Sequence, residues 1–123
     1  MRIVTPGIPD KKPVYAVTRS YYAQLIRAGV RIYEYTPGFL HAKMIVADND
    51  IAVIGTINMD FRSFYLHFEC GTVFYRASIV DKVREDILDT IEKSHEIDEQ
   101  WIKSYPRIKS ICASLLSLFA PLM

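Results

Sequence analysis

The sequence predicts an α/β layered fold. Three observations carry that prediction. Strand-type and helix-type patterns alternate along the chain. Apolar residues make up 50% and charged residues 24%, ordinary for a folded globular protein. At 123 residues the chain has the length of one domain and can bury one core. Composition excludes extended disorder, collagen and coiled coil.

Arg2–Val4 reads as a short strand, halted by the loop Thr5-Pro6-Gly7-Ile8-Pro9-Asp10. Val14, Val17, Tyr21, Leu25 and Ala28 recur at helical spacing, and Gly29 supplies the stop. Val30–Tyr35 is rich in β-branched and aromatic residues, so it reads as a strand, broken by Thr36-Pro37-Gly38. His41–Ala47 and Ile51–Ile54 read as two strands around the turn Asp48-Asn49-Asp50. Phe68–Tyr75 is a further strand. Ser78 reads as a helix cap with an acid, Asp81, three residues on, and Val80, Val83, Ile87 and Ile91 give that helix one apolar face. A last helix is expected over 107–119. Residues 1–100 are read as one domain and 101–123 as an amphipathic helical tail.

The formal net charge is +1, which argues against a surface built for bulk nucleic-acid binding. Its distribution is uneven. The stretch 77–100 is strongly acidic, whereas the residues before and after it are net basic. Cys70 and Cys112 are too few for a disulfide scaffold and favour a reducing compartment. The first residues lack the apolar core of a secretory signal. No apolar run approaches the roughly 20 residues of a spanning helix, so the chain is not expected to cross a membrane.

His41-Ala42-Lys43 is the cluster that carries chemistry. On a strand, positions two apart share a face, which would set an imidazole beside an ammonium. Asp48 ends the same strand. Gly55-Thr56-Ile57-Asn58 follows the second strand of the hairpin, so the fold-back brings Thr56 and Asn58 toward His41 and Lys43. A phosphodiester under attack gathers negative charge on its oxygens. Lys43 offers a point charge and Asn58 an amide donor to stabilise that charge. An imidazole is both a nucleophile and a proton shuttle near neutral pH. No Cys, His, Asp or Glu cluster has metal-ligand spacing. The residues thus point to phosphoryl transfer through a histidine, without metal or cofactor. His67 and His95 have no comparable neighbours and read as ordinary surface or packing residues.

His41-Ala42-Lys43, then Asp48, then Gly55-Thr56-Ile57-Asn58 resembles the HKD signature of the phospholipase D superfamily. The flanks Pro6–Asp10, Thr18–Tyr21, Gly29–Tyr35, Pro37–Lys43 and Asn58–Ser63 are similar to bacterial cardiolipin synthases, as is the ending Leu115–Leu122. The resemblance implies a phospholipase D-like half, a mixed β-sheet flanked by helices. It implies transfer of a phosphatidyl group between two phosphatidylglycerols, giving cardiolipin and glycerol. His41 would attack phosphorus to give a phosphohistidine or protonate the leaving group. Lys43, Thr56 and Asn58 would bind phosphate, and Asp48 would be structural and electrostatic support. Glu69 would accept a hydrogen bond from the histidine's other nitrogen.

Enzymes of this superfamily place their active site between two similar halves, each with one motif. His-any-Lys occurs once here. The resemblance therefore implies a C-terminal half whose partner is an N-terminal half carrying a second motif, or a second copy of the chain. It implies a bacterial, cytoplasm-facing membrane location and a phospholipid substrate, with no nucleic acid. The open alternatives are a homodimeric phosphodiesterase or nuclease of the superfamily and a catalytically incomplete fragment. In the tail, Ile108, Ile111, Cys112, Leu115, Leu116 and Phe119 form an apolar stripe, either an in-plane membrane helix or a packing face.

Overall fold

The computed structural model describes residues 1–105, so the tail helix expected over 107–119 lies outside the described residues. The fold class is as expected: among the described residues six strands and five helices are interspersed, the strands in two three-stranded sheets rather than one. The described residues divide into two compact units, one of Met1–Leu40 with 94–105, the other His41–Lys93.

In the first unit, β1 (Arg2–Pro6) pairs in parallel with β2 (Arg31–Tyr35), and β6 (Ser94–Ile97) runs antiparallel on β2's other side. Two helices connect β1 to β2: α1 (Lys12–Ser20) and α2 (Tyr22–Arg27). Sequence periodicity predicts one helix here. The break at Tyr21 follows hydroxyls that bond back onto the backbone, Thr18 to the Val14 carbonyl at 3.0 Å and Ser20 to the Val17 carbonyl at 2.6 Å. Gly29 ends α2 with φ +84°, a left-handed conformation that a side chain would resist. Tyr22, Ile32 and Ile97 form the core, packed by Leu25, Ile26, Val30 and Trp101. Trp101 sits on α5 (Glu99–Ser104), whose cap Asp98 accepts the Trp101 amide at 2.8 Å. The buried Glu34 carboxylate accepts two bonds from Arg19, at 2.8 and 2.6 Å, and one from the Tyr22 hydroxyl at 3.0 Å. A buried carboxylate requires such partners.

In the second unit, β3 (Met44–Ala47), β4 (Ile51–Gly55) and β5 (Gly71–Tyr75) form an antiparallel sheet with register Ile45↔Val53↔Val73. The helix α4 (Ser78–Glu92) covers one face. Ala52, Val80 and Val83 are buried there, against Met44, Val46, Ile54, Phe74, Ile79 and Ile87. Ser78 is the first helical residue and not the cap. Ala77 occupies the cap without a side-chain bond, and Asp81 in the first turn favours the helix dipole. A short helix, α3 (Phe61–Tyr65), links β4 to β5.

Candidate active site

The site-forming end of the second unit is the one where β3 begins, β4 ends and β5 begins. The Gly55 amide donates to the Lys43 carbonyl at 3.2 Å, and the Thr56 amide donates to the Cys70 carbonyl at 2.9 Å. Gly55 is required there. A Cβ on it would collide with the Cys70 carbonyl oxygen, so no side chain could stand between the crossing backbones.

Thr56 and Glu69 meet at this end. The Thr56 hydroxyl donates to Glu69 Oε2 at 2.5 Å and accepts the Cys70 amide at 3.0 Å. The Thr56 hydroxyl first, and the Ser63 hydroxyl second, hold the Glu69 carboxyl below its ordinary range, with His67 and Lys43 adding to the effect. Glu69 is therefore a carboxylate at neutral pH. Ser63 is buried, and its hydroxyl oxygen accepts the Asn58 amide at 3.2 Å. Its own amide donates to Asp60 Oδ1 at 2.8 Å, the bond that caps α3. One hydroxyl, that of Ser63, thus ties Asn58 to Glu69.

His41 and Lys43 lie just before β3 and not on it, which corrects the expected shared strand face. Lys43 turns back instead, its ammonium donating to the His41 carbonyl at 2.8 Å. His41 is exposed and Lys43 half-buried. Glu69 likewise precedes its strand, since β5 starts at Gly71 rather than Phe68. The Thr56 and Ser63 hydroxyls both bond its carboxylate. Asp48 stands apart. It occupies the turn after β3 with φ 52°, at the opposite end of the hairpin. At about 3.3 Å per residue that is roughly 15 Å from Lys43.

Sequence reasoning missed two features. Ser63 carries no signal of its own, because its role depends on the Asp60 cap that seats it. His67 is not an ordinary surface histidine. Its Nε2 accepts from the Arg62 guanidinium, at 3.2 Å from Nε and 2.8 Å from Nη2. Cys70 is a free, exposed thiol. Among the described residues, no group of three or more His, Cys, Asp or Glu could hold a metal ion, and no helix is long and apolar enough to cross a membrane.

One end of a three-stranded sheet therefore gathers the Lys43 ammonium, the Thr56 hydroxyl and the ionised Glu69 carboxylate, with Asn58 tied in through its backbone amide and His41 two residues from Lys43. Such groups suit displacement at a phosphate ester.

Comparison with known proteins leads the same way. The family model described as cardiolipin synthase, PLD-like domain, matches residues 1–91. A cardiolipin synthase of Alkalihalophilus pseudofirmus is 42% identical over 123 residues, all of this chain and 24% of that protein. Cardiolipin synthase 2 of Bacillus cereus is 41% identical over the same length and also 24% covered. A Streptococcus mutans protein described as uncharacterized is 40% identical, with 27% of it covered. The chain thus spans about a quarter of the length of the curated relatives it matches, in their C-terminal part. No solved structure matches. With the family model matching residues 1–91 and relatives about 40% identical along the whole chain, this chain belongs to the cardiolipin synthase PLD-like domain family.

Proposed function

We propose that this chain is the C-terminal catalytic half-domain of a cardiolipin synthase, with its domain within residues 1–100 and the amphipathic tail beyond. The donor is phosphatidylglycerol. One histidine attacks its phosphorus, the bond to the headgroup glycerol oxygen breaks, and a second histidine protonates that oxygen as glycerol leaves. The terminal hydroxyl of a second phosphatidylglycerol, giving its proton to the second histidine, then attacks the phosphohistidine; the P–N bond breaks, giving cardiolipin and freeing the imidazole. His41 fills one of the two histidine roles. The other comes from an N-terminal half with its own motif or from a second copy of the chain. Lys43 and Asn58 stabilise the charge growing on the phosphate oxygens. Thr56 helps bind phosphate and holds Glu69. Glu69, kept ionised, stabilises the imidazolium. Asp48 shapes the hairpin turn. The reaction takes place at the cytoplasmic membrane surface and involves no nucleic acid.

The observation that supports this reading most is the connection of Thr56, Glu69, Ser63 and Asn58 into one hydrogen-bonded group beside Lys43. The test joins the chain to the N-terminal part of a relative and supplies phosphatidylglycerol vesicles. Cardiolipin should appear with one glycerol released per molecule formed. Absence of both products, or cleavage of DNA by the same preparation, would overturn the reading.

A further inference from the structure

The chain between α3 and β5 has to deliver Glu69 to the Thr56 and Ser63 hydroxyls, and apolar packing does not hold it there. Tyr65, Leu66 and Phe68 are all exposed, Phe68 fully. The usual glycine stop is missing as well. Leu66 ends α3 with φ −122°, and no residue from 61 to 70 has a positive φ.

What holds the returning chain is bonding to two adjacent residues of α3. The Arg62 carbonyl accepts the Leu66 and His67 amides, each at 2.9 Å. The Arg62 guanidinium then donates to Nε2 of the same His67, through Nε at 3.2 Å and Nη2 at 2.8 Å. Arg62 thus grips His67 by main chain and side chain together. Ser63, the next residue, is buried and bonds Glu69, two residues beyond His67. The chain is pinned twice on its way to β5, at 67 by Arg62 and at 69 by Ser63.

The clamp uses the imidazole in one way. A guanidinium has donors and no acceptor, so Nε2 must accept. A ring whose Nε2 accepts is neutral and carries its proton on Nδ1. While Arg62 holds it, His67 therefore has no Nε2 proton to give to a leaving group.

We propose that Arg62 and His67 are positioning residues for Glu69: the guanidinium–imidazole bond fixes the turn that sets the carboxylate against the Thr56 and Ser63 hydroxyls. This rests on the reading that Glu69 supports a catalytic histidine. The pair acts on the chemistry through Glu69 and not through a contact with substrate.

The first test uses the chain itself and needs no activity. Amide hydrogen exchange at neutral pH follows Cys70 and Asn58, whose amides donate to the Thr56 and Ser63 hydroxyls, with the β4 amides as controls. His67→Phe keeps a ring and removes the acceptor. It should speed exchange of both amides about tenfold, the worth of a hydrogen bond from a charged donor, and leave β4 protected. His67→Gln, which offers an amide oxygen at the reach of Nε2, should restore slow exchange. Arg62→Met with His67→Phe should exchange no faster than Arg62→Met alone, a comparison in which the other contacts of Arg62 cancel. The second test reads transfer in the joined enzyme. His67→Phe should lower kcat about tenfold with KM within about twofold, and His67→Gln should recover it. Unchanged exchange in His67→Phe, additive effects of the two substitutions, or faster exchange with kcat untouched would overturn the proposal. Loss of β4 protection in His67→Phe would also do so, by marking a role in folding rather than in placing Glu69. An unaltered joined enzyme that makes no cardiolipin would overturn the proposed function instead, and the exchange measurement would still decide the clamp.

Discussion

The Thr56 hydroxyl donates to Glu69 at 2.5 Å while its oxygen accepts the Cys70 amide at 3.0 Å. The amide bond orients the hydroxyl, and the oriented hydroxyl stabilises the ionised form of the carboxyl. Thr56→Ser keeps both bonds, whereas Thr56→Val keeps only the shape. In the joined enzyme, Thr56→Val should lower kcat roughly tenfold or more, the worth of a hydrogen bond to a charged group. Its acid limb should also move. Glu69 titrates below its ordinary range, so losing the hydroxyl lets it protonate at higher pH, and activity should fall off earlier on acidification. A pH–rate profile for both variants checks this.

Ser63 acts through others. Its buried hydroxyl accepts from Asn58 and stabilises ionised Glu69. Ser63→Ala should lower kcat more than it raises KM, and it should shift the acid limb in the same direction as Thr56→Val. A loss of folded protein with an unchanged pH profile would mark Ser63 as purely structural.

Asp48 should be separable from the chemistry. It lies at the far end of the hairpin in a left-handed conformation. Asp48→Asn and Asp48→Gly tolerate that backbone and should leave transfer within about twofold. Asp48→Val should destabilise the chain by about 1–2 kcal/mol, the cost of a side chain that resists it. Urea unfolding and the transfer assay read the two effects independently.

The first unit carries an alkaline dependence. Burial raises the Tyr22 pKa, and the Glu34 charge beside it acts in the same direction. The unfolded chain ionises Tyr22 near pH 10, before the folded chain does. Its contribution is therefore complete below that pH and is lost as pH rises further. Stability measured by urea unfolding should decline above about pH 10, and Tyr22→Phe should flatten that decline.

Much of the fold was legible because it rests on periodicity. β2, β4 and the buried face of α4 follow from β-branched runs and a repeat of three to four residues, and Ile32, Val80 and Val83 are buried as that pattern implies. Short pieces escaped it. α3 and α5 are five and six residues long, too short for a repeat, and each depends on an aspartate cap. The strand pattern also ran on too far at His41–Lys43 and Phe68–Cys70. Composition there favours a strand, yet the chain leaves the ladder where the site begins. For the candidate site, motif spacing singled out Lys43, Thr56 and Asn58 and the family resemblance Glu69, and the fold sets these residues at one end of the second sheet. Neither could reveal Ser63 or the Arg62–His67 pair, whose roles arise from a helix cap and a turn that only the folded chain brings together.

Transfer by the joined enzyme with His41→Ala tests the central claim most directly. The measured quantity is the initial rate of cardiolipin formation from radiolabelled phosphatidylglycerol, with circular dichroism confirming the fold. The account predicts a rate lowered by at least about a thousandfold, since one histidine would have to serve two roles. A folded His41→Ala enzyme that makes cardiolipin at the unaltered rate would contradict it.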